Sequence, residues 1–318
     1  MSLRHLDLLA GVGVCLLATA VYAEPPRLDY QISPNHVLLL NIADSGQHLV
    51  AVGERGVVLI ADEHGQAWNT VRTATTRTLS GVAFANPQVG VVVGHGGALL
   101  RTVDGGQHWT AVEADTHDEA LLGVVALGEG RMAAWGAFGL YLLSKDDGAS
   151  WEHLPILDND FDRHISRIIP LANGEYLLVG ESGTLAKSAD HGETWQALQS
   201  PYAGSLFGAL QLHNGDLLIY GMRGNLWLSS DGGQTWTRRN TATTFAFNGA
   251  VELKSGRILV FGNSGLLLAS DDQGRSFNTL PSTQASLAKA IQLDDGQLLA
   301  VGDRGVTPLA ANVTERQE

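Results

Sequence analysis

A pair of glycines three residues apart returns seven times along the chain: Gly53/Gly56, Gly94/Gly97, Gly136/Gly139, Gly180/Gly183, Gly221/Gly224, Gly262/Gly265 and Gly302/Gly305. The interval between successive pairs is nearly constant, at roughly 40–44 residues. Fifteen positions after the first glycine of each of the first six pairs stands an aromatic: Trp68, Trp109, Trp151, Trp195, Trp236 and Phe277. A fixed period of this length marks a chain built from stacked units, none of which can bury its apolar face alone.

Each unit reads as β structure. An apolar or alternating run precedes every glycine pair, as in Val89–Val93 and Tyr176–Val179, and such runs fit strands. Ahead of these runs come hairpin signals: Asp44-Ser45-Gly46, Asn173-Gly174, Asn214-Gly215, Ser255-Gly256 and Asp295-Gly296. Four short strands in about 41 residues make one propeller blade. The expected architecture is therefore all-β, a seven-bladed β-propeller over residues 24–318. The last repeat stops after Gly302/Gly305, without the segment that would supply its outermost strand. Arg27–Ile32, ahead of the first inner strand at Val37–Ile42, is expected to complete that blade and remove an open sheet edge.

Between each glycine pair and its aromatic runs a turn of the form [S/T]-x-D-x-G-x-x-W. Copies are TVDGGQHW, SKDDGASW, SADHGETW, SSDGGQTW and SDDQGRSF. Asp104, Asp146, Asp190, Asp231 and Asp272 occupy the acidic position, with Trp109, Trp151, Trp195, Trp236 and Phe277 closing the turn. The first copy, ADEHGQAW, has Ala61 and Glu63 where the others have Ser or Thr and Asp, and reads as decayed. A carboxylate can accept backbone N–H groups in a tight turn, and glycine supplies positive φ there. Several copies of one turn are ordinary, whereas several copies of one active site are not. These Asp boxes are expected to be structural.

The N-terminus reads differently. Arg4 and His5 precede an apolar run from Leu8 to Ala20, and Val21-Tyr22-Ala23 has the small-residue pattern of a signal-peptidase site. The run is too short to span a bilayer, so Met1–Ala23 is expected to be a cleaved leader, with the mature chain exported to the periplasm. The single cysteine, Cys15, falls inside the leader, which leaves the mature chain without thiols or disulfides. A formal net charge of −13 argues against nucleic acid and anionic membrane surfaces as partners.

The Asp boxes joined to loops such as Gly53-Glu54-Arg55-Gly56 and Gly302-Asp303-Arg304-Gly305 resemble the photosystem II stability and assembly factor family. The resemblance covers residues 24–318. It implies a seven-bladed, exported, non-enzymatic scaffold that docks on a membrane or periplasmic protein complex, as a monomer and without a cofactor. Relatives outside photosynthetic organisms resemble accessory proteins of export systems. Asp boxes also occur in sialidases, so a carbohydrate-binding or glycoside-hydrolysing propeller is the alternative. The Phe/Tyr-Arg-Ile-Pro segment of sialidases is absent from the sequence.

Other candidate chemistry is weak. Asp158, Asp160 and Asp162 begin like a calcium loop, but Arg163 stands where glycine is needed and Ile169 where the closing glutamate belongs. His95 and His108 have no partner at metal-ligand spacing, and no metal site is expected. What varies between repeats is the stretch from aromatic to next glycine, longest between Trp151 and Gly180. In a propeller these connections share a face with the glycine-pair loops, and variable loops on a rigid frame carry recognition. The candidate partner-binding residues on that face are Arg55, His95, Phe138, Glu181, Met222, Arg223, Asn263 and Arg304. Arg55, Arg223 and Arg304 share one loop position, just before the second glycine.

Overall fold

The computed structural model describes residues 31–158, 160–310 and 313; all that follows concerns the compact unit Ile32–Glu318. The expected leader, Met1–Ala23, and the segment Arg27–Tyr30 of the expected closing strand lie outside the described residues. Seven antiparallel sheets follow one another along the chain, six of four strands and the last of three among the described residues. In the first, Leu39–Asp44, Leu49–Gly53, Val58–Ala61 and Asn69–Val71 lie side by side in chain order from inside to outside. The seventh comprises Leu287–Gln292, Leu298–Gly302 and Gly305–Leu309. Each innermost strand packs against that of the next blade, and the seventh packs against the first. The ring is thus a closed seven-bladed propeller.

The second strands explain their own sequences. Leu49–Gly53, Gly90–Gly94, Tyr176–Gly180, Leu217–Gly221, Ile258–Gly262 and Leu298–Gly302 are buried at every position. Each is covered by neighbouring blades on both faces, so an unbroken apolar run replaces the alternation of a half-exposed strand. The glycine pairs follow from close approach. A Cβ on Gly53 would collide with the carbonyl oxygen of Leu38, where the loop crosses the start of the inner strand. Gly56, at φ 74°, would both strain and collide with Thr75 in the connection to the next blade if it carried a side chain.

The Asp boxes form the turns on the opposite face. Thr102 Oγ1 donates to Asp104 Oδ1 at 2.8 Å and accepts from the amide of Gly106 at 3.0 Å. Asp104 Oδ1 also accepts the amide of His108 at 2.9 Å. Ser144/Asp146, Ser188/Asp190, Ser229/Asp231 and Ser270/Asp272 repeat the hydroxyl–carboxylate contact at 2.8 Å. Partial burial opposes ionisation of Asp104 and Asp272, but the donated hydrogen bonds outweigh it and hold both carboxyls down at about 2. The first box is altered rather than lost. Asp62, one residue early, accepts the amides of His64 and Gln66 at 3.1 and 2.8 Å, while Glu63 lies exposed.

Each box aromatic packs on the preceding blade. Trp109 lies with Val50 and Val52, Trp151 with Val91 and Val93, and Trp236 with Leu177 and Val179. Phe277 lies with Leu212 and Leu218, and Trp68 with Leu299 of the last blade. The box turn is therefore the staple between neighbours, at about 150–250 Å² of buried ring per joint.

At the ring's junction, the carbonyl of Pro34 accepts the amide of Val306 at 2.8 Å. The carbonyls of Arg163 and Gly204 do the same for Gly139 and Gly183 at 2.9 and 3.0 Å, in connections between other blades. The segment at Pro34 thus occupies the place of a blade-to-blade connection. Ile32 packs into the cluster of Val37, Leu39, Val301 and Val306 that joins first and last blades.

Candidate functional site: the glycine-pair face and the channel

The loop between the two glycines presents two side chains with opposite duties. The first turns inward. Glu54 Oε1 accepts the amide of Leu38 at 3.2 Å, Glu181 Oε2 that of His164 at 3.1 Å, and Asp303 Oδ1 that of Ser286 at 3.1 Å. Asn263 Oδ1 accepts from Asn248 Nδ2 at 2.9 Å. Of the expected binding residues, Glu181 and Asn263 therefore already hold the start of their own inner strand. His95 is exposed at the same position, and Met222 is half-buried there.

The second side chain turns outward. Arg55, Phe138 and Arg223 sit in the left-handed region at φ 56°, 50° and 57°, a conformation that costs a non-glycine residue energy and directs its side chain away from the blade. Arg55, Arg223 and Arg304 are exposed. Among the described residues none of the three has a hydrogen-bond or ion-pair partner. Phe138 is 60% exposed, its ring edge-on to His164 at 5.1 Å. His164 Nδ1 stands 3.2 Å from Glu181 Oε2, so Phe138 and Glu181 are brought together across two blades by a residue that no repeat motif singles out.

Beside Arg223, the connection into the sixth blade forms a cleft of about 660 Å³ lined by Arg238–Phe245. Phe245 is 54% exposed, Arg238 lies open, and Arg239 Nε is buried without a partner. Arginine and aromatic side chains in one cleft suit a polypeptide segment that offers carboxylates or carbonyls together with an apolar residue.

The axis of the ring is a channel of about 450 Å³ bounded by all seven inner strands. The one carboxylate among its lining residues, Asp44, lies at the Asp-box end and accepts the amide of Gly46 at 2.7 Å. Glycoside hydrolysis generally uses two carboxylates across the sugar. Elsewhere on the surface, Asp115, His117 and His153 bring three possible metal-donor atoms within 4.8 Å of one another, all exposed. His153 lies a whole repeat beyond His117, which is why sequence spacing offers only His95 and His108; His108 instead contacts Asp104 at 2.7 Å through Nδ1.

Fold and box chemistry together define an Asp-box propeller. The chain belongs to the family described as photosynthesis system II assembly factor YCF48, whose model matches residues 60–230. A photosystem II assembly lipoprotein Ycf48 from Synechococcus sp. (strain CC9902) is 28% identical over 141 residues. That stretch is 44% of this chain and 42% of the relative's length, so less than half of the relative is matched. Two solved structures share the fold: YCF48 bound to D1 peptide, and YCF48 from Cyanidioschyzon merolae. The first has a TM-score of 0.72 at 21% identity, covering 88% of this chain and 97% of the other. The second has a TM-score of 0.70 at 17% identity, covering 87% and 96%.

Proposed function

We propose that this chain is an exported, non-enzymatic scaffold that assists assembly of a membrane or periplasmic protein complex by holding an extended segment of a partner on its glycine-pair face. The observation that carries the reading is the set of exposed arginines, Arg55, Arg223 and Arg304, at one loop position and, among the described residues, without internal partners. A guanidinium in a structural role would engage a neighbouring carboxylate or carbonyl. Here the neighbouring acids, Glu54 and Asp303, are turned inward to amides. The arginine forks remain open to donate to a partner's carboxylates or backbone carbonyls.

Family membership supports an assembly role, and a solved family structure that holds a peptide supports the kind of ligand. Phe138 and Phe245 add the apolar anchors that a peptide interface needs at its centre. The net charge of −13 would repel an acidic partner elsewhere, so the arginines also restrict docking to this face. Export is supported by the leader-like segment Met1–Ala23 and by the relative's being a lipoprotein.

The test is affinity capture from detergent-solubilised membranes, with partners identified by mass spectrometry. Arg55→Ala/Arg304→Ala and Arg223→Ala should each lower partner recovery several-fold while circular dichroism and Tm stay at wild-type values. Unchanged recovery in both variants, or loss only in step with unfolding, would refute the reading.

A further inference from the structure

The channel carries a feature that the docking role does not use. Its inner strands share a pattern, and the third residue of each, where the ladder slips register, is Asn41, Gly81, Gly123, Arg167, Gly208, Gly249 and Lys289 in turn. Four blades have glycine there. The fourth and seventh have cations instead, and Arg167 and Lys289 line one cavity.

Neither charge is neutralised from within. Among the described residues Arg167 has no hydrogen-bond or ion-pair partner. Lys289 Nζ donates to the amide oxygen of Asn41 at 2.9 Å, a neutral acceptor, leaving two of its three protons unused. Asp44 is at the far mouth, engaged with Gly46. Seclusion of Lys289, with the charge of Arg167 added, pushes the ammonium down to about 7. The arrangement is costly in a chain with 33 acidic residues, of which, among the described residues, only Asp44 lines the channel.

Unsatisfied donors of one sign in a confined cavity define what would fill it. A metal ion is repelled by both charges. A neutral ligand would leave two half-buried cations uncompensated. An oxyanion satisfies the guanidinium fork and the ammonium together, and relieves the repulsion between the two cations. We propose that the central channel is a binding site for a small oxyanion, a carboxylate or a phosphate, held between Arg167 and Lys289. The site is separate from the glycine-pair loops and does not depend on how a protein partner docks there.

The experiment titrates the purified chain with inorganic phosphate and, separately, with citrate, by calorimetry and thermal melting at matched ionic strength in chloride. Saturable binding of either, with a rise in Tm that chloride does not reproduce, is expected, and the tighter of the two names the source. Lys289→Met and Arg167→Gln should each weaken that binding about tenfold or more, as loss of a charge-assisted donor does. Glycines at the same strand position in four blades indicate that the fold does not need these cations, so unliganded Tm should not fall in Lys289→Met. Failure of both anions to bind at millimolar concentration, or equal binding by wild type and the variants, overturns the proposal.

Discussion

The hydroxyl of Tyr141 donates to the carbonyl of Gly192 at 2.8 Å, taking the acceptor that other boxes reserve for their own tryptophan. Trp68, Trp109, Trp151 and Trp236 donate their indole N–H to the carbonyls of Gly65, Gly106, Gly148 and Gly233 at 2.9, 2.9, 3.1 and 3.2 Å. Trp195 does not, and its N–H is buried without a partner among the described residues. It meets Tyr141 edge to face instead, centroids 6.0 Å apart at 88°. Tyr141→Phe should therefore cost less than about 1 kcal/mol, because Trp195 can recover the freed carbonyl. Trp195→Ala should cost about 3–5 kcal/mol, as an aromatic cavity at a blade joint does. Denaturant melts of both variants check this; a Tyr141→Phe cost equal to that of Trp195→Ala would show that the indole cannot take the bond.

Acid should loosen the boxes together. The carboxyls of Asp104 and Asp272 are held at about 2 against an ordinary value of 3.8, and those of Asp146 and Asp190 are also lowered. Because folding lowers these values, their contribution is fully present above about pH 4 and is lost as pH falls through about 2. As far as the boxes decide it, Tm should then be flat above about pH 4 and decline below it. Asp190→Ala should cost about 1–2 kcal/mol at pH 7, as loss of a turn cap does, and much less at pH 2. A cost that does not change with pH would mean the carboxylate's hydrogen bonds are not its contribution.

Closure of the ring is testable by deletion. The carbonyl of Pro34 accepts the amide of Val306 at 2.8 Å, and the amide of Ile32 donates to Thr70 Oγ1 at 2.8 Å. Ile32 also fills the cluster between first and last blades. Removing residues 24–32 should strip that contact from the junction of the first and last blades, lowering stability by about 2 kcal/mol or more. At this chain length that is a fall in Tm of roughly 3 °C or more. An unchanged Tm would mean that the contacts of Ile32 contribute nothing to closing the ring.

The architecture is legible in the sequence because the repeat is a physical necessity. Each glycine pair sits where a Cβ has no room, and each box aromatic where two blades must be joined, so selection writes them at fixed spacing. The site is legible only where it inherits that spacing. Arg55, Phe138 and Arg223 occupy the outward position of the loop, and alignment of the repeats finds them. Glu181 and Asn263 share those loops, but the first loop position faces the start of the inner strand, a direction that no count of residues reveals. Arg167 and Lys289 share a position in the inner strand, yet four glycines at that position read as turn or bulge signals and hide the two cations. Asp62 can replace Glu63 only because the turn accepts a carboxylate from either of two neighbouring positions.

Lys289 should make stability depend on pH through a cost that rising pH removes. Its ammonium is held at about 7 in the folded chain, against an ordinary value of 10.5. Between those values the unfolded chain holds a proton that the folded chain lacks, so stability rises with pH across that interval. Below about pH 7 the cost of the secluded charge is fully present; above about 10.5 it has gone. The groups facing it are Arg167, whose charge adds to the cost, and Asn41, whose amide oxygen offsets part of it. Lys289→Met should accordingly be more stable than wild type at pH 6, by about 1 kcal/mol or more. The advantage should shrink steadily towards pH 10 as the wild-type lysine sheds its proton, the boxes being common to both proteins. Chemical denaturation of the pair at pH 6, 8 and 10 measures the gap directly. A gap that stays constant, or a variant less stable than wild type at pH 6, would show that the ammonium is compensated inside the channel.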